Sequence, residues 1–161
     1  DVRSITRTVV ALTEPPAVVI VDKVMKYSVP STVQARFYAY NTDNKGAIAV
    51  TADAFTVTRP HAVLIGIAAS SSGVVYTSGF PDIPPALAQT YPFADVATGL
   101  ATKEICLVTV LLPASPTGPT GSARVERNGD SYTAHILAGA TSRSVRVIDA
   151  GEVPEFEVQT P

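Results

Sequence analysis

The stretch PPAVVIVDKV (15–24) runs five apolar residues, Ala17 to Val21, straight into Asp22. Four of the five are β-branched, which favours a strand, and Pro15-Pro16 sits where a missing N–H does least harm. The run hardly alternates, and neither does EICLVTVLLP (104–113). That is the pattern of strands covered on both faces or lying at the centre of packed sheets. Everything around these two segments is read outward from them.

Further strand signals follow in close succession: SITRTVVAL (4–12), TVQARFYAYNT (32–42), AIAVTA (47–52), AFTVTR (54–59) and AVLIGIAA (62–69). Later come SARVERN (122–128), SYTAHILA (131–138), RSVRVID (143–149) and EFEVQ (155–159). With turn residues every ~8–12 positions, this predicts an all-β fold: one multi-stranded antiparallel β-sandwich of the super-sandwich type over 1–161, with little or no helix. In VQARFYAY, Val33, Ala35, Phe37 and Ala39 share one face, and Gln34, Arg36, Tyr38 and Tyr40 share the other. In SYTAHIL, Tyr132, Ala134 and Ile136 oppose Thr133, His135 and Leu137. Asn128-Gly129 is the strongest hairpin signal, and Gly46 in TDNKGA suits a left-handed position. Residues 78–95 read as a long surface connection, 94–103 as a place for one or two helical turns, and ASPTGPTGS (114–122) as a flexible loop.

Composition narrows the function classes. Hydrophobic residues make up 46% and charged residues 16%, enough apolar material for a substantial core. The net charge is −2 with the basic residues scattered, which argues against a nucleic-acid partner. No apolar run approaches the ~18 residues of a membrane span. The chain begins at Asp1 without an initiator methionine, as a processed or trimmed product or a piece of a longer chain would.

Few residues carry chemistry. His61 and His135 lack a ligand partner at metal-site spacing, so no metal or cofactor is expected. Cys106, flanked by Ile105, Leu107 and Val108, reads as a small buried hydrophobe. The carboxylates Asp43, Asp53, Asp82 and Asp95 are dispersed, SSSG (70–73) lacks an adjacent base, and no catalytic residue is nominated. Aromatic rings can stack on the apolar face of a sugar, and Tyr76, Phe80, Tyr91 and Phe93 flank the middle connection. Tyr76 and Tyr91 are the candidate glycan contacts. The plainer reading, that these rings staple the connection to the sandwich, carries more weight.

The order of strands resembles the C-terminal β-rich half of the heparinase II/III-like polysaccharide lyases. The residues that carry the resemblance are RTVVAL…PAVVIVDKV (7–24), STVQARFYAY (31–40), AFTVTRPHAVLIGIA (54–68), EICLVTVLLP (104–113), ARVERNGDSYTAHI (123–136) and SVRVID (144–149). In that family an apolar strand ends in Asp and a small turn. The resemblance implies that Asp22 caps the turn into KVMKYSVP by accepting backbone N–H bonds.

The family joins a helical toroid to β-sheets and cleaves uronate-containing glycans by β-elimination. A base removes the proton α to the carboxylate, and an acid protonates the leaving oxygen. Its catalytic residues lie in the toroid and the first sheet and match no position here. The expectation is a C-terminal β-sandwich portion of a secreted or periplasmic lyase, present as a fragment, a separate domain or one chain of a cleaved enzyme. It would support the substrate cleft without supplying acid or base. Its partners would be the upstream toroid and first β-sheet of the same enzyme, and the polysaccharide. A stand-alone carbohydrate-binding or adhesion module is the alternative, and a structural subunit of a larger coat or appendage is a third reading.

Overall fold

The computed structural model describes residues 1–84, 91–117 and 121–159, and all its regular structure is β. The first half holds β1 (Val2–Thr13), β2 (Pro16–Lys26), β3 (Gln34–Tyr38), β4 (Ala47–Val50), β5 (Phe55–Arg59) and β6 (Ala62–Ser70). It continues with β7 (Val74–Gly79), β8 (Phe93–Thr98), β9 (Glu104–Ala114), β10 (Ser122–Asn128), β11 (Ser131–Ala138), β12 (Thr141–Ile148) and β13 (Glu155–Gln159). They form three antiparallel sheets, with strand orders β1-β2-β9-β6-β5-β4, β10-β11-β12-β13 and β3-β8-β7.

The six-stranded sheet is the middle layer. Ala17, Val19 and Val21 of β2, with Cys106, Val108, Val110 and Leu112 of β9, pack against Tyr132, Ala134, Ile136, Val145 and Val147 of the four-stranded sheet. On the opposite face Val24, Ile105, Leu107, Phe55 and Ala68 meet Ala35, Tyr76, Ala94 and Val96 of the three-stranded sheet. That is why AVVIV and CLVTVLL do not alternate: both parities of β2 and β9 are covered. The outer sheets have one covered face each, and β3 and β11 alternate as the sequence predicts. β1 is an edge strand covered on one face only, which leaves Ile5 and Val9 exposed.

Several local expectations need correction. Residues 94–103 make no helical turn. Ala94 and Val96 of β8 are buried against the middle layer, while Phe93 and Asp95 of the other parity are covered by Arg36 and its neighbours, so the segment is held as a strand paired on both sides. The connection expected at 78–95 is shorter, because β7 runs to Gly79 and β8 starts at Phe93; residues 85–90 of it lie outside the described residues. Residues 118–120 of the ASPTGPTGS loop lie outside them too. The hairpin near Asn128 turns on Gly129-Asp130, with Asn128 still paired to Ser131 and Gly129 at φ 61°. Glycine at the first loop position supplies the positive φ, so Asn128 stays in the ladder. In TDNKGA the left-handed residue is Asn44, not Gly46.

Gly66 shows how tightly the inner face is built. It pairs directly with Phe55, and a Cβ there would stand 2.1 Å from the Phe55 ring. That ring is fully buried, stacked on Phe37 at 5.1 Å and beside Tyr76 at 6.5 Å, so it has nowhere to retreat. Gly66→Ala should lower unfolding free energy by about 1–3 kcal/mol in a urea titration, the usual range for overpacking a core. An unchanged midpoint would show that the layers are looser than this packing implies.

Candidate functional site

Asp22 and Lys23 are neighbours on β2, so their side chains leave opposite faces of the middle sheet. The strand does not end at Asp22 but runs on to Lys26, and the carboxylate caps no turn. It instead takes a bidentate pair of hydrogen bonds from Arg7, directly opposite on β1, at 2.6 and 2.9 Å. Arg7 is the cation that the sequence hid fifteen residues upstream. The role is structural, as expected, by a different contact.

Lys23 points into the interface with the four-stranded sheet and is 1% exposed. Its ammonium donates to Glu104 at 2.6 Å and to Asp149, just past β12, at 2.5 Å. Burial works against its charge, but the hydrogen bonds it donates to Asp149 and Glu104 win and hold its pKa above the ordinary 10.5. Cys106, paired with Lys23 across the ladder, is 1% exposed. Burial first, and then the negative charge of Asp149, pushes its thiol up to about 12. Lys23 and Cys106 are buried here, while Glu104, 57% exposed, carries the ion cluster out to the surface.

The histidines stay apart. His61 sits with Pro60 in the two-residue turn between β5 and β6. His135 lies on the outer face of the four-stranded sheet, its Nδ1 3.1 Å from the Ser144 hydroxyl and its Nε2 3.4 Å from Glu126. A groove of about 440 Å³ passes between His135, Arg124 and Arg143, but Glu126 also contacts Arg124 at 3.2 Å and offsets its charge. Among the described residues, no three His, Cys, Asp or Glu side chains come together to hold a metal ion. Nor is any helix among them long and apolar enough to cross a membrane.

The outer face of the three-stranded sheet is different. Arg36 and Tyr38 of β3 lie directly opposite Asp95 and Phe93 of β8. Arg36 donates from Nε and Nη2 to the two Asp95 oxygens at 2.7 and 2.8 Å, and its guanidinium carbon stands 3.7 Å from the Phe93 ring centre. The Asp95 hydrogen bonds, then contact with Tyr38, raise the Arg36 pKa further, so the guanidinium keeps its charge. Phe93 lies over Gly79 of β7, where a Cβ would come within 3.0 Å of the ring.

Beyond the strand end, Ala39 donates its N–H to the Pro92 carbonyl at 2.9 Å. That bond carries the pairing far enough to set Tyr40 beside Tyr91, ring centres 5.9 Å apart. Tyr38 (56%), Tyr40 (66%) and Tyr91 (39%) all remain accessible. Three tyrosines, an ion pair and a covered phenylalanine therefore share one sheet face.

Of the two sequence candidates, Tyr91 belongs to this face and Tyr76 does not. Tyr76 is 7% exposed, and its hydroxyl accepts from the Ala68 N–H at 2.6 Å and donates to the Ala68 carbonyl. It holds the three-stranded sheet to the middle layer, which removes it from any ligand surface. Tyr38 and Tyr40 are candidates that the sequence does not nominate, although its alternation turns both outward. No protein-family model and no curated protein sequence matches the chain.

Two measurements check the burial of Cys106 and Lys23. Cys106 should resist alkylation by iodoacetamide at pH 8 in the native protein and react fully in denaturant; rapid native labelling would mean the interface opens readily. Lys23→Met should cost about 2 kcal/mol at neutral pH, since Asp149, only 17% exposed, loses its charged hydrogen-bond partner, whereas Glu104 is free to turn to water. With its folded pKa raised, Lys23 contributes fully below the unfolded value of 10.5, and the contribution is lost as pH climbs through the folded value. The gap between wild type and variant should narrow in that alkaline range, and a gap that widens there would refute the assignment.

Proposed function

We propose that this chain is the non-catalytic, C-terminal β-sandwich portion of a polysaccharide lyase that acts by β-elimination on uronate-containing glycans. Its share of the work is to support the substrate cleft and hold the sugar chain, while an upstream helical toroid and first β-sheet supply the acid and base. The same reading places the protein outside the cytoplasm, in the periplasm or secreted. The observation that carries it is the aromatic face of the three-stranded sheet. Tyr38, Tyr40 and Tyr91 offer flat apolar surface with a polar rim, which is what the C–H face of a pyranose ring packs against. The resemblance in strand order supplies the lyase setting. The bare apolar edge at Ile5 and Val9 supports a neighbouring layer.

A stand-alone carbohydrate-binding or adhesion module is the second reading. It is favoured by the closure of both hydrophobic cores within the three sheets.

The purified chain should be retarded in native gels that contain polysaccharide, and Tyr38→Ala or Tyr40→Ala should weaken that retardation roughly tenfold, the worth of one lost stacking contact. Tyr76→Ala should instead lower the melting temperature. Formation of unsaturated uronate product by the chain alone would overturn the non-catalytic assignment. Equal retardation of wild type and both exposed-tyrosine variants would remove the aromatic face from the account.

A further inference from the structure

We infer that the aromatic face selects uncharged pyranose units and leaves uronate units to be held elsewhere. This rests on the reading that the face holds a glycan, and it specifies which sugars.

The reason is the charge balance of the face. Its side chains are Gln34, Arg36 and Tyr38 from β3, Phe93, Asp95 and Ala97 from β8, and Val75 and Thr77 from β7, with Tyr40 and Tyr91 side by side just beyond the strand ends. Arg36 is the one cation among them, and it is spent on Asp95 through two hydrogen bonds. A uronate carboxylate stacked here would find no free positive charge. It would have to compete with Asp95 for a guanidinium already fixed by both oxygens and by the Phe93 ring. Losing water without gaining a partner is what makes a charge costly to bury.

An uncharged sugar meets no such obstacle. Tyr38 ends β3 and Tyr40 lies two residues further on, where the Ala39–Pro92 hydrogen bond continues the pairing; in extended backbone that spacing is about 7 Å, so consecutive ring contacts are possible. A guanidinium has five N–H donors. Two are engaged with Asp95, and those left over can donate to sugar hydroxyls without breaking the ion pair. The tyrosine hydroxyls and the Gln34 amide add neutral donors and acceptors at the rim. The face therefore offers stacking and hydroxyl hydrogen bonds, and it offers no site for an anion.

The test uses the full 161-residue chain with named probes. Laminarin, xylan and galactomannan represent uncharged polysaccharides, and alginate and polygalacturonate represent uronates. Affinity is read by isothermal titration at ~0.05 and ~0.5 M NaCl, since an interaction between charges weakens as salt screens it. At least one uncharged polymer should bind, with affinity unchanged by salt and reduced roughly tenfold by Tyr40→Ala. Both uronates should bind at least tenfold more weakly than that polymer. Tighter, salt-sensitive binding of alginate or polygalacturonate that Tyr40→Ala still weakens would overturn the selectivity and leave the glycan-holding role standing. Binding of none of the five would overturn both. Uncharged-polymer binding that survives Tyr38→Ala and Tyr40→Ala, in variants with wild-type melting temperatures, would place the site elsewhere and overturn the inference.

Discussion

The pairing of β2 with β9 is the constraint on which the rest depends. These strands meet antiparallel, Val19 opposite Val110 and Val21 opposite Val108, in a sheet that is covered on both sides. A sheet with one wet face can tolerate a slip by exposing the wrong residues to water. Here a slip of one residue would exchange the contents of two different cores, because the side-chain period is two. One core is built from small aliphatic residues around Tyr132, and the other is organised around the stacked Phe37 and Phe55. The adjacent charges sharpen the penalty. Asp22 faces the side where Arg7 waits, and Lys23 faces the side where Glu104 and Asp149 converge. In the slipped register each would lose its partner, and an unpaired buried charge costs several kcal/mol. The DK pair after the apolar run thus works as a register key.

How much of this was legible in the sequence depended on the range of the interaction. Patterns that a single strand expresses could be read directly. The unbroken runs at 17–21 and 105–112 announced burial on both faces, and the alternation of VQARFYAY placed Ala35 inward and Tyr38 outward, as found. Interactions that join distant segments could not be read this way. Lys23 meets carboxylates 81 and 126 residues away, and nothing local to VDKV records either one. Asp22 was understood as a turn cap because its real partner lies across a hairpin, where only the register names it. The strand at 93–98 is not written in its own sequence, because nearly every residue of β8 is buried and the cover comes from distant segments: the middle layer over Ala94 and Val96, and Arg36 over Phe93.

The candidate face lay partly within reach. Tyr91 was found for its place in the middle connection and Tyr76 for the same reason, yet parity separates them. Val74, Tyr76 and Ser78 form one side of β7, and Val75, Thr77 and Gly79 form the other. Only the second side shares a face with Asp95 and Phe93, through the pairs Thr77–Asp95 and Gly79–Phe93. What the sequence lacked was the pairing of β3 with β8, which brings Arg36 onto Asp95 and Tyr38 beside Phe93 from segments 59 residues apart. Tyr38 and Tyr40 were known to point outward. That they point toward the same neighbours as Tyr91 is a fact of the ladder.

The ladder also makes the strand-borne part of this face more rigid than a loop would be. Beneath the outer rings lie Ala35, Phe37, Ala94 and Val96, packed against the middle layer, so the backbone of β3 and β8 is fixed from below. Tyrosine loses few rotamers on binding, and Tyr38 is already in edge contact with Phe93, at 6.0 Å between centres. Arg36, usually a mobile side chain, is held between a carboxylate and an aromatic ring. Most of the ordering entropy that a ligand would otherwise have to offset is already spent in folding. The same immobility neutralises the guanidinium in advance, and this ties the rigidity of the face to its charge. A floor that fixes Arg36 on Asp95 gains a preorganised donor and gives up a free cation, and the selectivity we propose would follow from that packing.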